Sequence, residues 1–261
     1  MSEFVLPVRY YRHHTDPGVP CVEANFQYAQ HTLRIPTDQA ALILVDVWDV
    51  HPVASHLART DEITRTRIVP VVEAARKAGV TVIHAPSLPI AKKYPQWVRY
   101  AEDVDPQSSP TGERWPPPTF ARREGDYAQF ARPAEPMMDL WQDRLAARRI
   151  LADVEPEADD FVVGTGEQLQ RLLADRQILH LFYVGFATNI CVPFRDYGMR
   201  AFRKRGYNPI LLRDCTTAIE AHDTVDDLLI TRLAIRDFEM MDIAWTATGE
   251  DFLRVCGQRR P

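Results

Sequence analysis

The chain has 261 residues, 46% hydrophobic and 26% charged, which is enough to bury a sizeable core in one large α/β domain or two small ones. Its net charge of −5 excludes a nucleic-acid surface as the main business, since phosphate binding needs clustered excess Lys and Arg, and there is no polybasic membrane patch. Residues 1–14 lack the apolar core of a signal peptide, no run reaches the ~20 apolar residues of a membrane span, and Cys21, Cys191, Cys215 and Cys256 are too widely spaced for a disulfide framework, so a cytoplasmic protein with free thiols is expected.

Residues 41–49 open on a continuous apolar run, as a strand buried on both faces does. A helix follows over about 61–78, with Ile68, Val71, Val72 and Ala75 on its apolar face and Gly79 at its end. Residues 80–84 form a second buried strand, completing a β-α-β unit. Residues 89–150 break the rhythm with many prolines, Pro106, Pro110 and Pro136 among them, and with aromatics including Tyr94, Trp97 and Trp115. This composition predicts an ordered insertion, a lid or an oligomer contact, with a helix near 137–151. Alternation then resumes: strands at 161–163, 180–186, 209–213 and 243–247, helices at 166–176, 190–205 and 223–237. The pattern predicts one α/β domain over 1–261: a doubly wound, six-stranded, mostly parallel sheet with helices on both faces and a Pro/aromatic-rich insertion at 89–150.

In His180-Leu-Phe-Tyr-Val-Gly-Phe-Ala-Thr-Asn-Ile-Cys191-Val-Pro-Phe-Arg, a buried strand runs through Gly185 straight into a helix that Thr188 or Asn189 can cap. Cys191 therefore sits at a helix N-terminus beyond the carboxyl end of a central strand. There a thiolate is favoured, free N–H groups face the same space, and α/β sheets place their ligand crevice. A lone cysteine is more often a small core residue; this turn reverses the odds. Asp46, after four apolar residues, is a carboxylate at a strand's carboxyl end, read as the thiol's base or as a loop cap.

Leu44-Val45-Asp46-Val47 resembles the opening motif of the isochorismatase-like cysteine hydrolases, and Gly185-Phe186-Ala187-Thr188-Asn189-Ile190-Cys191-Val192 resembles their Gly-x-x-Thr-x-x-Cys-Val nucleophile motif. The family includes nicotinamidases, carbamoylsarcosine and ureidoacrylate amidohydrolases, and isochorismatases. The resemblance implies a Cys-Asp-Lys triad, a cis peptide at Phe186–Ala187 that aims N–H groups at the oxyanion, and a homo-oligomer. The sequence departs from it at the lysine, whose place is taken by Gly164, Thr165, Gly166 and Glu167. Lys92 or Lys93 would have to swing in from the insertion, and Glu167 either takes a polar role at the site or starts its helix.

Asp49, His51 and His84 form a second constellation near the same strand ends. They read as substrate-polarising or proton-shuttling histidines, as ligands of a divalent metal such as zinc, or as ordinary hydrogen-bonded side chains. His222 is a weaker candidate, and His56 has no supporting context.

The reading is a hydrolase that cleaves a C–N bond of a small amide or ureide through a covalent Cys191 intermediate. Asp46 is the base, with His51 and His84 assisting. Phe186, Ala187 and Thr188 lie around the oxyanion, and Trp48, Tyr94 and Glu167 shape the pocket. No cofactor is required, and the partners expected are a small-molecule substrate and further copies of the chain. The alternatives are a cysteine-independent, vinyl-ether-cleaving hydrolase that uses Asp46, and a non-catalytic small-molecule-binding protein on this fold.

Overall fold

In Ala-Ala-Leu-Ile-Leu-Val (residues 40–45) every residue is buried, because both faces of the strand are covered. Leu42 and Leu44 pack on one face of the sheet with Phe182 and Val184, and Ala41, Ile43 and Val45 on the other with Leu181 and Tyr183. The structure is a computed structural model that describes residues 3–101, 115–135 and 138–257. In chain order the elements are β1 (Glu3–Arg12), β2 (Gln27–Pro36), β3 (Ala40–Val45), α1 (Ala54–Ile63), α2 (Val69–Ala78), β4 (Thr81–Ala85), α3 (Leu88–Ala91), α4 (Pro118–Arg122), α5 (Met138–Ala147), β5 (Phe161–Val162), α6 (Gly166–Asp175), β6 (His180–Gly185), α7 (Cys191–Phe194), α8 (Met199–Lys204), β7 (Asn208–Leu212), α9 (Leu229–Met240), β8 (Trp245–Ala247) and α10 (Gly249–Gly257).

The sheet has eight strands in the order β2-β1-β8-β7-β6-β3-β4-β5. The six strands from β3 to β8 are mutually parallel, as expected, while β1 and β2 form an antiparallel hairpin joined to the β8 edge through Arg9 and Thr246. The hairpin is a correction to the six-stranded expectation. Phe4, Leu6 and Val8 alternate into the core, a period-2 pattern hidden in the sequence by the tyrosines, arginines and histidines that continue the strand. Two helical layers cover the sheet: Ile68, Val71, Val72 and Phe252 on one face, and Leu169, Leu172, Phe202 and Phe238 on the other.

Between α1 and α2 a π turn spans Thr64–Ile68, just ahead of Pro70. Proline has no N–H to give the preceding turn and its ring crowds the carbonyl four residues back, so the helix widens there. Gly79 ends α2 in the left-handed conformation at φ 68°.

Residues 1–102 with 148–261 form one compact unit, and residues 103–147 form a second. In the second, the Phe120 ring meets Tyr127 edge to face and Phe130 at a tilt, and Arg123 lies over it at 4.1 Å. Pro106, Pro110 and Pro136 of the expected insertion lie outside the described residues. Among the described residues no helix is long and apolar enough to cross a membrane.

Candidate active site

β3 and β6 are adjacent, and from them the chain winds outward in opposite directions, through β4 and β5 on one side and β7 and β8 on the other. Their carboxyl ends therefore border the crevice where the winding reverses. Asp46 follows β3 directly, and Cys191 follows β6 after a tight turn. Asp46 is in the left-handed region at φ 47°, held by its N–H bond to Ala85 O at 3.1 Å. Gly185 at φ 110° lets the two strand ends meet, since a Cβ there would lie 2.1 Å from Val45 O. The Phe186–Ala187 peptide is cis.

The expected helix over 190–205 is broken. α7 has only four residues, and Arg195 leaves it with extended geometry (ψ 155°) before α8 begins. Gly198 permits the re-entry, because a Cβ there would press on three backbone atoms at 2.8–2.9 Å. Residues 195–198 form a tight turn, closed by the Gly198 N–H donating to Arg195 O at 2.8 Å. Asp196 accepts from the N–H of Gly166 at 2.7 Å, and Arg195 and Tyr197 both reach Asp46. Arg195 donates through Nε at 3.0 Å and through its terminal nitrogen at 2.8 Å, both to Oδ2; the Tyr197 hydroxyl donates to Oδ1 at 3.2 Å. The Cys191 thiol donates to the same carboxylate, and the Ala187 N–H donates to the Cys191 sulfur.

At the lysine's place, a Cβ on Gly164 would lie 2.7 Å from Leu88 Cα, so no side chain fits. Lys93 instead donates to Arg148 O at 2.7 Å, and Lys92 lies over the Trp97 ring at 5.7 Å. The cation at Asp46 is Arg195, which sequence reasoning missed along with Tyr197.

Burial dominates the electrostatics here. It raises the Asp46 carboxyl above its usual range, with the Arg195 charge and the hydrogen bonds from Cys191, Arg195 and Tyr197 opposing it. Burial, reinforced by the Asp46 charge, pushes the Cys191 thiol up to about 12. The expected lowering of the thiol is thus corrected: a four-residue helix offers a weak dipole, and desolvation beside a carboxylate outweighs it. Burial works against the Arg195 charge, but Asp46 overcomes it and the guanidinium is held more firmly charged.

Cys191 and Asp46 open into a cavity of about 180 Å³ that Trp48, His51, His56, Phe186 and Ala187 also line. The Trp48 indole N–H donates to Pro86 O at 3.1 Å, and the Arg148 guanidinium stacks on the ring at 4.1 Å. His56, which showed no context in the sequence, is brought in by α1. It is buried, with its ring 4.8 Å from that of His51, and burial, followed by the His51 and Arg59 charges, lowers it to about 4.

The other sequence candidates are placed elsewhere. His84 points to Asp160 at 3.3 Å, in a buried group with Arg76 at the amino end of β5. Tyr94 supports the core, its hydroxyl accepting from Ile150 N–H at 2.9 Å. Thr188 is buried against the Thr216 hydroxyl at 2.7 Å. Glu167 pairs with Arg205 at 2.5 Å on the surface, so it only starts its helix. Asp49 accepts from Arg149 N–H at 2.9 Å, and His222 is exposed beside Asp223. Asp49, His51 and His84 do not converge, and among the described residues no three His, Cys, Asp or Glu side chains are grouped as a metal would need.

A family model described as the isochorismatase domain matches residues 40–239, which contain both strand ends of this site. The chain belongs to the isochorismatase family. This isochorismatase-like hydrolase matches no curated protein. Among solved structures it resembles a cysteine hydrolase from Pseudomonas syringae pv. phaseolicola 1448A, at 19% identity over 85% of this chain and 94% of that one, with a TM-score of 0.54. It also resembles an isochorismatase family protein from Burkholderia thailandensis, at 14% identity over 85% and 97%, with a TM-score of 0.50.

Proposed function

We propose that this isochorismatase family member cleaves the C–N bond of a small amide or ureide through a thioester on Cys191. The observation that carries the reading is the buried Asp46 carboxylate, which takes the Cys191 thiol on one side and Arg195 and Tyr197 on the other. The thiol keeps its proton at rest, so attack and proton transfer go together. As sulfur bonds the carbonyl carbon, its proton passes to Asp46, and the carbonyl oxygen becomes an oxyanion near the N–H groups of Ala187 and Cys191. Asp46 gives that proton to the nitrogen as the C–N bond breaks. Water then attacks the thioester and yields a proton to Asp46, which returns it to the departing sulfur. Arg195 keeps Asp46 ionised between these transfers. No residue of this scheme calls on a cofactor, and the cavity's size suits a small-molecule substrate.

The test is intact-mass detection of an acyl adduct on a panel of small amides and ureides, with Cys191→Ala and Asp46→Asn as controls. Loss of adduct and turnover in both variants is expected. Turnover that survives in Cys191→Ala but not in Asp46→Asn supports the cysteine-independent reading instead. Tight ligand retention without turnover supports a binding protein.

A further inference from the structure

His51 and His56 both line the cavity into which Cys191 opens, and hydrogen bonds settle the tautomer of each. The backbone N–H of Val53 donates to His51 Nδ1 at 3.1 Å, so that nitrogen carries a lone pair and the ring proton sits on Nε2. His56 Nδ1 lies 3.2 Å from the carbonyl oxygen of Ala218. A carbonyl only accepts, so this Nδ1 carries the proton and Nε2 is the lone pair. The acceptor is itself held: Arg59 donates to the same oxygen at 3.3 Å, and the Ala218 N–H donates to Thr231 Oγ1 at 2.8 Å. The two rings meet edge to face, with centroids 4.8 Å apart. Burial keeps both neutral near pH 7. The remaining nitrogens are thus one donor, His51 Nε2–H, and one acceptor, His56 Nε2, on neighbouring rings that line the same small cavity.

We propose that His51 and His56 act as a donor–acceptor pair that selects substrates bearing a neutral carboxamide or ureido group beyond the scissile carbonyl, its C=O accepting from His51 and its N–H donating to His56. This rests on the hydrolase reading above. A carboxylate in that place offers acceptors only and meets the His56 lone pair. A hydrocarbon leaves both ring nitrogens unpaired, which sites of this kind reject strongly. The cavity holds about six water volumes, room for a compact diamide or ureide.

Three amides of similar size test it: malonamide, with a second carboxamide; malonamate, with a carboxylate; and isovaleramide, with an isopropyl group. Their affinities are measured by calorimetry on Cys191→Ala at pH 7, where no chemistry intervenes. Malonamide is expected to bind at least about tenfold more tightly than either of the others. His56→Phe is expected to bring it down to the isovaleramide level, and His56→Gln, whose amide oxygen is again an acceptor, to restore most of the difference. Equal affinities, preference for malonamate, or no binding of malonamide overturns the proposal, and the comparison on Cys191→Ala alone decides it even if the His56 variants fold poorly. Thioester formation in the unsubstituted enzyme is scored separately. The binding order without an adduct removes the hydrolase reading and leaves the pair; adducts formed equally from all three do the reverse.

Discussion

Replacing Arg195 with Met takes two N–H donors and a positive charge from a carboxylate that is only 3% exposed. Breaking a buried ion pair from one side costs about 3–5 kcal/mol. The Arg195 side chain is 35% exposed, so water screens the pair, and about 2–3 kcal/mol is the expected loss at neutral pH. The Asp46 carboxyl is already raised by burial, and the Arg195 charge is the largest influence holding it down. Without it the carboxyl rises further, and the ionised base is lost at a higher pH than in the unsubstituted enzyme. On the acid limb, where the ionised base limits the rate, the same energy corresponds to a fall in kcat/KM of roughly 30- to 150-fold. The assay is the pH profile of kcat/KM: the acid limb moves to higher pH in the variant, and the curves approach one another in alkali. Stability carries the same sign. A raised carboxyl contributes stability below its unfolded value and loses it as pH rises through the folded value, so the deficit of Arg195→Met grows with pH. Arg195→Lys, a point charge in place of a fork, falls between. An unmoved acid limb with less than about a threefold fall in kcat/KM refutes this role for Arg195.

Three further outcomes are expected. Gly198→Ala forces a Cβ against backbone atoms of Val192 and Arg195, so urea unfolding is expected to show a loss of about 1–3 kcal/mol together with lower activity; full activity in the folded variant contradicts the turn's role. Burial tends to raise the Asp160 carboxyl, but hydrogen bonds from His84, Arg76 and the Glu157 N–H outweigh it and bring it to about 2. A lowered carboxyl contributes stability above its unfolded value near ~4 and loses it as pH falls through the folded value, so Asp160→Asn is expected to cost about 2 kcal/mol at pH 7, less towards pH 2, with kcat unchanged. With its thiol pushed up to about 12, Cys191 is expected to react with iodoacetamide more slowly than an unfolded cysteine at pH 8, and faster in Asp46→Asn, which removes the charge; rapid alkylation of the unsubstituted enzyme at pH 6 speaks against a thiol held protonated beside the carboxylate.

The parallel core was legible because its strands are buried on both faces and read as near-continuous apolar runs, as in Ala40–Val45 and residues 209–212. The hairpin was not, because β2 is mostly exposed and only Leu33 and Ile35 alternate towards the core. α10 was missed for a different reason. Phe252, Val255 and Cys256 give it a helical face, but it follows the last strand, where no β-α-β crossover calls for it. At the candidate site, the places of Asp46 and Cys191 beyond the ends of two central strands were legible from the buried runs that precede them. His84 was misplaced because residues adjacent in a strand point to opposite faces, and its ring faces Asp160 rather than the crevice. His56 lacked any local pattern, since its partner Ala218 lies 162 residues away.

Arg195 is the instructive case. Four residues after Cys191, it would share a helical face with the thiol in an unbroken helix, so the neighbourhood of the two was open to sequence reasoning. Its bond to Asp46, 149 residues earlier, was not, because that depends on the chain leaving the helix at Arg195. Gly198 marked the break, as an isolated glycine within a helical pattern often does. The consequence is mechanical. A lysine on a separate strand would hold the carboxylate independently of the sulfur, and Gly164 leaves no room for one. Here the sulfur and the cation ride on one turn, so a disturbance at Gly198 displaces both from Asp46 together. Loss of thioester formation and the shift of the acid limb should therefore appear jointly in Gly198→Ala, whereas Arg195→Met should shift the limb while leaving the sulfur in position to be acylated in alkali.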